Sequence, residues 1–191
     1  MTVLAVTEQR RGELRDPSFE LITAGRQLAD DLDSELHLAV IGGDVDGYAD
    51  QLNREGVDAI HTVADGEEFN HDIYTQAVTA MADAHEPDAV LMANTVNGLD
   101  FAPAVAGQLD VPLVTDAVDF DASGTPEITR EQSGGTVETT VDIAADHFPL
   151  TIRPAESAKA EGTDHAHIRA FDFELYELPV RSTVHRFEAS D

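Results

Sequence analysis

Side chains able to do chemistry fall in four places along the chain. Asn94-Thr95-Val96-Asn97-Gly98 follows the apolar run Ala89 to Ala93 and precedes a helical pattern. In an open α/β sheet of order 3-2-1-4-5 this loop faces the one after the first strand. Thr7, Asn94, Thr95 and Gly98 would then line a nucleotide pocket at the carboxyl ends of the strands, with a helix N-terminus supplying N–H donors to an anion. The plainer alternative is that Asn97 or Gly98 caps the helix. Arg10, Arg11 and Arg15 surround the lone Gly12 after the first strand. They can hold a phosphate, although pairing with nearby carboxylates is the simpler expectation in so acidic a chain.

Asp164-His165-Ala166-His167 places His165 and His167 on one side of a strand, a spacing able to grip a metal ion. No third or fourth ligand is identifiable, and such histidines are ordinary in an exposed acidic loop. Ser133-Gly134-Gly135 suggests a phosphate cradle, but no helix opens after it, so a turn between β segments is expected. No G-x-G-x-x-G, G-x-x-x-x-G-K-[ST] or G-x-S-x-G occurs, which removes the common dinucleotide, P-loop and nucleophile-elbow chemistries. There is no cysteine, so thiolate catalysis and thiolate metal ligation are excluded as well.

The 191 residues suit one domain, and 42% of them are apolar, enough for a packed core. With 38 acidic residues against 11 Lys plus Arg, the formal charge is −27, a surface that repels nucleic acid and anionic membrane. Chance carboxylate pairs are expected at this density, so none is read as a general acid/base pair. No apolar run approaches ~18 residues, so no membrane insertion is expected. The start, Met1-Thr2-Val3-Leu4-Ala5-Val6, lacks a basic segment and a cleavage site, and a cytoplasmic location is expected.

The elements that must position these residues alternate. Val3 to Thr7, Leu36 to Ile41, Val57 to Val63, Ala89 to Ala93 and Val111 to Ala117 read as strands. Between them lie helical patterns. One is capped by Asp16 with Pro17 first, one runs from Asp44 through Tyr48 and Leu52 to Gly56, one starts at Asn70, and one carries Phe101, Val105 and Leu109. Strands alternating with helices imply right-handed crossovers and an open, mostly parallel sheet with helices on both faces. This core is expected over 1–118. A β-rich extension over 119–191 is expected to add antiparallel ribbons from Glu127 to Arg130, Thr136 to Ile143, Leu150 to Arg153, Ile168 to Leu175 and Val180 to Phe187.

Several of these stretches, in order, resemble the electron transfer flavoprotein alpha subunit. They are Val3-Leu4-Ala5-Val6 with Glu8, Gly12-Glu13-Leu14-Arg15, the Leu21/Ala24/Leu28-Ala29 helix and Pro87-Asp88-Ala89-Val90-Leu91. Thr95, Gly98, Asp100, Ala102-Pro103 and Leu113-Val114-Thr115-Asp116 follow, then Thr129-Arg130, Gly134-Gly135 and Thr151-Ile152-Arg153-Pro154. The resemblance implies an α/β domain of the adenine-nucleotide alpha-hydrolase-like type. It further implies an electron-transport role as the N-terminal domain of such a subunit, paired with a beta-type subunit. The family's FAD-binding domain has no counterpart in these residues, so the expectation is no cofactor bound by this chain, with FAD in the absent domain.

A non-enzymatic scaffold is therefore expected, with a free-standing adenine-nucleotide-binding module as the alternative. Phe148, Phe171, Phe173 and Tyr176 are candidates for partner contact, or equally for closing the domain's own core edge. The acidic coating, with Lys159 the single lysine, suits a halophilic cytoplasm, because at molar salt the Debye length is only ~3 Å. Thermal melts should accordingly show a higher midpoint in molar KCl than in dilute buffer, and an unchanged midpoint would exclude that adaptation.

Overall fold

The computed structural model describes residues 1–66 and 68–176. Strand β1 (Thr2–Val6) is followed by a small antiparallel hairpin, β2 (Gln9–Arg10) with β3 (Glu13–Leu14), and by α1 (Asp16–Asp31). Then come β4 (Glu35–Gly42), α2 (Val45–Leu52), β5 (Ala59–Ala64), α3 (His71–His85), β6 (Ala89–Ala93) and α4 (Val96–Leu109). The remaining strands are β7 (Val114–Asp121), β8 (Glu127–Gln132), β9 (Val137–Asp142), β10 (Phe148–Ile152) and β11 (His167–Ala170). The main sheet has nine strands in the order β11-β5-β4-β1-β6-β10-β7-β8-β9, and only the β7-β8-β9 meander in it is antiparallel.

Each sheet face is covered by two helices, as crossovers of one hand require. Leu21, Ile22 and Leu28 of α1, with Tyr48 and Leu52 of α2, close one face over Val3, Leu36, Leu38 and Leu91. Ile73, Val78 and Met81 of α3, with Phe101 and Val105 of α4, close the other over Leu4, Val6, Ile41 and Met92. Among the described residues no helix is long and apolar enough to cross a membrane.

The fifth strand of the alternating series does not lie beside the fourth. β10 sits between β6 and β7 and is parallel to both, with all five of its residues buried, whereas β7 buries only Val114, Ala117 and Phe120. A run that is apolar on both faces gains most from a central place, and a partly exposed one can border the meander. At the opposite edge β11 pairs with β5, again in parallel. Antiparallel ribbons are thus confined to β7–β9, while two later segments of the extension join the parallel sheet.

Local boundaries differ from the sequence expectation for physical reasons. Asp16 is the first residue of α1 and not its cap; extended Arg15 holds that position without a side-chain bond, and the Asp16 carboxylate instead meets Lys159 at 2.6 Å. Helix α2 ends at Leu52, its last inward side chain, and Gly56 lies beyond it in the loop at φ +87°, against the Arg26 side chain. Strand β11 stops at Ala170, and Phe171, Phe173 and Leu175 continue as an irregular segment packed on the α3/α4 side of the core. Phe148 is a core residue at 3% exposure and not a contact surface, whereas Tyr176 is exposed. The expected Val180 to Phe187 segment lies outside the described residues.

Leu150, fully buried in β10, should lose about 2–5 kcal/mol of unfolding free energy on truncation to Ala. Val137→Ala, at an exposed site on the meander, should stay within about 0.5 kcal/mol. Urea titrations of both variants measure the difference.

Candidate functional site

The carboxyl ends of β1 and β6 open into a crevice of about 480 Å³ lined by Gln9, Arg10, Arg15, Phe69, Thr95 and Asn97 among others. This is the switch point of the sheet, where the crossovers from β1 and β6 leave on opposite faces. Glu8, the second residue after β1, forms its floor. Its backbone N–H donates to Ser18 Oγ at 2.8 Å, and its carbonyl accepts from that hydroxyl at 2.9 Å and from Arg15 N–H at 3.0 Å. The backbone is thereby pinned to the start of α1, and the carboxylate projects toward α4.

There Thr95 Oγ1 donates to Glu8 Oε1 at 2.5 Å and accepts from Gly98 N–H at 3.1 Å, and the Gly98 amide bonds the Glu8 carboxylate as well. Thr95, and neither Asn97 nor Gly98, is therefore the N-cap of α4. Glycine at 98 is a steric requirement, because a Cβ there would stand 1.8 Å from the Ala93 carbonyl oxygen. The tight β6–α4 turn brings the positive end of α4 onto a carboxylate belonging to the chain itself. Burial pushes the Glu8 carboxyl above the usual range, against the opposing pull of Thr95, Arg15 and the Gly98 amide.

A second polar network adjoins the first across β6, β10 and β7. Arg153 grips Asp116 with two bonds, Nε to Oδ1 at 3.0 Å and a terminal nitrogen to Oδ2 at 2.8 Å, and its other terminal nitrogen reaches Glu131 at 2.6 Å. Asn94 Nδ2 donates to Asp116 Oδ1 at 2.9 Å, Thr151 Oγ1 donates to Asn94 Oδ1 at 2.8 Å, and the Asp116 N–H donates to Thr151 Oγ1 at 2.9 Å. The fork of Arg153 holds the Asp116 carboxyl below its ordinary range. Asp116 itself sits at φ +63°, in the left-handed region, where β10 and β7 shift register.

Of the four residues expected to line a nucleotide pocket, Thr95 alone borders the crevice. Thr7 is buried and donates to the Ala39 carbonyl at 2.9 Å, Asn94 belongs to the Asp116 network, and Gly98 is buried in the turn. Arg10 and Arg15 border the crevice beside Glu8 and Glu68. Ser133, Gly134 and Gly135 all take positive φ in the β8–β9 turn. His165 and His167 face a separate cleft with Glu35, His37 and Asp58. No group of three or more metal-ligating side chains among the described residues is arranged to hold an ion. Sequence reasoning missed Glu8 as the residue at the centre. Its signal was a lone acid at the end of an apolar strand, which 38 acids obscured.

An open α/β domain whose switch point is held by internal polar bonds is the class that the geometry defines. The family model for the electron transfer flavoprotein domain matches residues 3–175, and the chain belongs to that family. It is similar to the electron transfer flavoprotein subunit alpha of Syntrophomonas wolfei, 33% identical over 150 residues, which cover 77% of this chain and 46% of that protein. Protein FixB of Clostridium saccharobutylicum is 32% identical over 181 residues, covering 91% of this chain and 53% of its own length. The Bacillus subtilis subunit alpha is 30% identical over 182 residues, covering 92% and 55%. The chain spans about half the length of the curated relatives it matches.

Substitutions within the Glu8 network have opposite expected effects. Gly98→Ala should cost about 3 kcal/mol, since the clash is with backbone that cannot step aside. Because the folded Glu8 carboxyl is raised, the folded state favours its protonated form, and its contribution declines as pH rises through the folded value. Glu8→Gln, which keeps an acceptor without the buried charge, should melt at or above the wild-type temperature at pH 7 to 8. Glu8→Ala, which strands the Thr95 and Gly98 donors, should melt below it.

Proposed function

We propose that this chain is a non-catalytic scaffold domain of an electron transfer flavoprotein alpha-type subunit. It holds a beta-type subunit so that a flavin-binding domain outside these residues can carry electrons from dehydrogenases. Family membership and the subunit alpha relatives support the reading. The observation that carries it is Glu8. At the switch point, where the α4 N-terminus would face a ligand phosphate, the donors already bond a buried carboxylate of the chain itself.

The same observation decides the fit of FAD to these residues. A flavin dinucleotide carries a diphosphate, and at this crevice that group would face the Glu8 carboxylate within the same donor set. The residues present do not fit it, and no step of electron transfer is assigned to them. Thr7, Asn94 and Gly98 have structural duties, so they serve the assembly by keeping the strand ends rigid. A cytoplasmic location and salt adaptation are part of the same proposal and rest on the acidic composition.

Two measurements test it. Calorimetric titration of the purified chain with AMP and ATP in molar salt should give no binding heat, and absorbance near 450 nm should show no bound flavin. Co-expression with an electron transfer flavoprotein beta subunit should give a complex that survives gel filtration. Stoichiometric flavin or nucleotide on the isolated chain, or failure to form any complex, would overturn the proposal.

A further inference from the structure

Three of the chain's imidazoles meet on the α3/α4 side of the sheet, near the amino end of β4. His37 comes from β4, His61 from β5 and His85 from the last turn of α3. Their ring centroids lie 4.4 Å apart for His61 and His85, 5.1 Å for His37 and His61, and 6.3 Å for His37 and His85. Phe171 covers them, with its ring 5.7 Å from His85 and 6.4 Å from His61, and it stacks at 6.3 Å on Phe173. The covering segment is lightly held. Its backbone bonds are Phe171 N–H to the Thr62 carbonyl at 2.8 Å and a reciprocal pair between Tyr176 and the Gln76 side chain at 2.8 and 3.2 Å.

The bonding within the cluster is satisfied by neutral rings. His37 Nε2 lies 3.1 Å from Glu35 Oε2, an acceptor, so His37 carries its proton on Nε2 and its Nδ1 accepts. His61 Nε2, 3.1 Å from that Nδ1, must then donate. A proton added to His61 would place a charge inside a buried stack of rings, 4.4 Å from His85. His85 Nε2 is buried with no hydrogen-bond partner. The charged and titratable groups around the cluster are Glu35 on β4, which is mostly exposed, Arg169 on β11, which repels added positive charge, and Asp58, Asp164, His165 and His167, which line the cleft that His37 borders.

We propose that this cluster is a proton-sensitive latch: while its rings are neutral it holds residues 171–175 against the core, and protonation releases them. The held segment is the end of the stretch matched by the family model, so the latch governs how the chain leaves the domain. The neutral forms of His61 and His85 are favoured by burial and by the positive charge that neighbouring groups would add. Burial first, then His85, His37 and Arg169, lower His61 to about 4, and burial, then His37 and Arg169, lower His85 as well. These shifts are depressions of a base. Stability from the closed latch is complete above the ordinary imidazole range near pH 6.5 and is lost as pH falls toward about 4.

Amide hydrogen exchange on the full chain in molar salt reads the latch directly. Between pH 7 and pH 4 the protection factor of the Phe171 amide should fall about 100-fold, as linkage to His61 alone requires, while that of Leu150 in β10 holds. His61→Phe should flatten the fall at Phe171. His85→Leu, at a half-buried site that tolerates replacement, should reduce it and serves if the first variant does not fold. A loss of protection at Phe171 that tracks Leu150, or one of equal size in the variants, would overturn the latch.

Discussion

Five consecutive residues of β10 are shut off from water on both faces, and much of the architecture follows from where that run must go. A strand apolar on both sides gains little at an edge, so it enters between β6 and β7. Its insertion carries Thr151 and Arg153 to the strand ends beside Asn94 and Asp116. A network drawing on the ends of four strands can then form, although its members lie up to 59 positions apart in sequence, from Asn94 to Arg153. Without that insertion β7 would pair with β6, and Arg153 would have no Asp116 to grip.

Glu8 and Arg153 secure the same end of the sheet by opposite means. Glu8 is nearly dehydrated, and that cost is only partly offset by Thr95, Arg15 and the Gly98 amide at the positive end of α4. Arg153 remains partly exposed and binds through geometry, its planar fork matching Asp116 while Glu131 takes the remaining edge. Together they fill the ligand-facing end of this class of sheet with internal polar bonds. The acidic surface constrains the rest. Three of the described cations are placed where they hold structure, with Lys159 on Asp16, Arg26 on Asp30 and Asp58, and Arg153 on Asp116 and Glu131.

The alternation of strands and helices through α4 was legible because each element shows a clean period and most carry local stop signals. Asn70 capping α3 is an example, its side chain accepting from Asp72 and Ile73. Cap positions resolved less well. Asp16 looked like a cap by residue type, but its carboxylate had a partner 143 positions away in Lys159 that local pattern cannot reveal. The same limit applied to Phe171 and Phe173. Their alternation suggested a continuing strand, and packing against α3 and the histidines ended it at Ala170.

The sequence by itself determined the fold class, the two-sided helix cover and the family resemblance, since these rest on periodicity and on ordered local motifs. Tertiary structure alone decided that β10 lies inside the sheet, that Glu8 floors the crevice, and that three scattered histidines meet in one cluster. Those facts depend on strand order and on burial, which bring together residues that no local pattern links. A carboxylate among 38 is distinguished only by the low dielectric around it and by the donors that turn toward it.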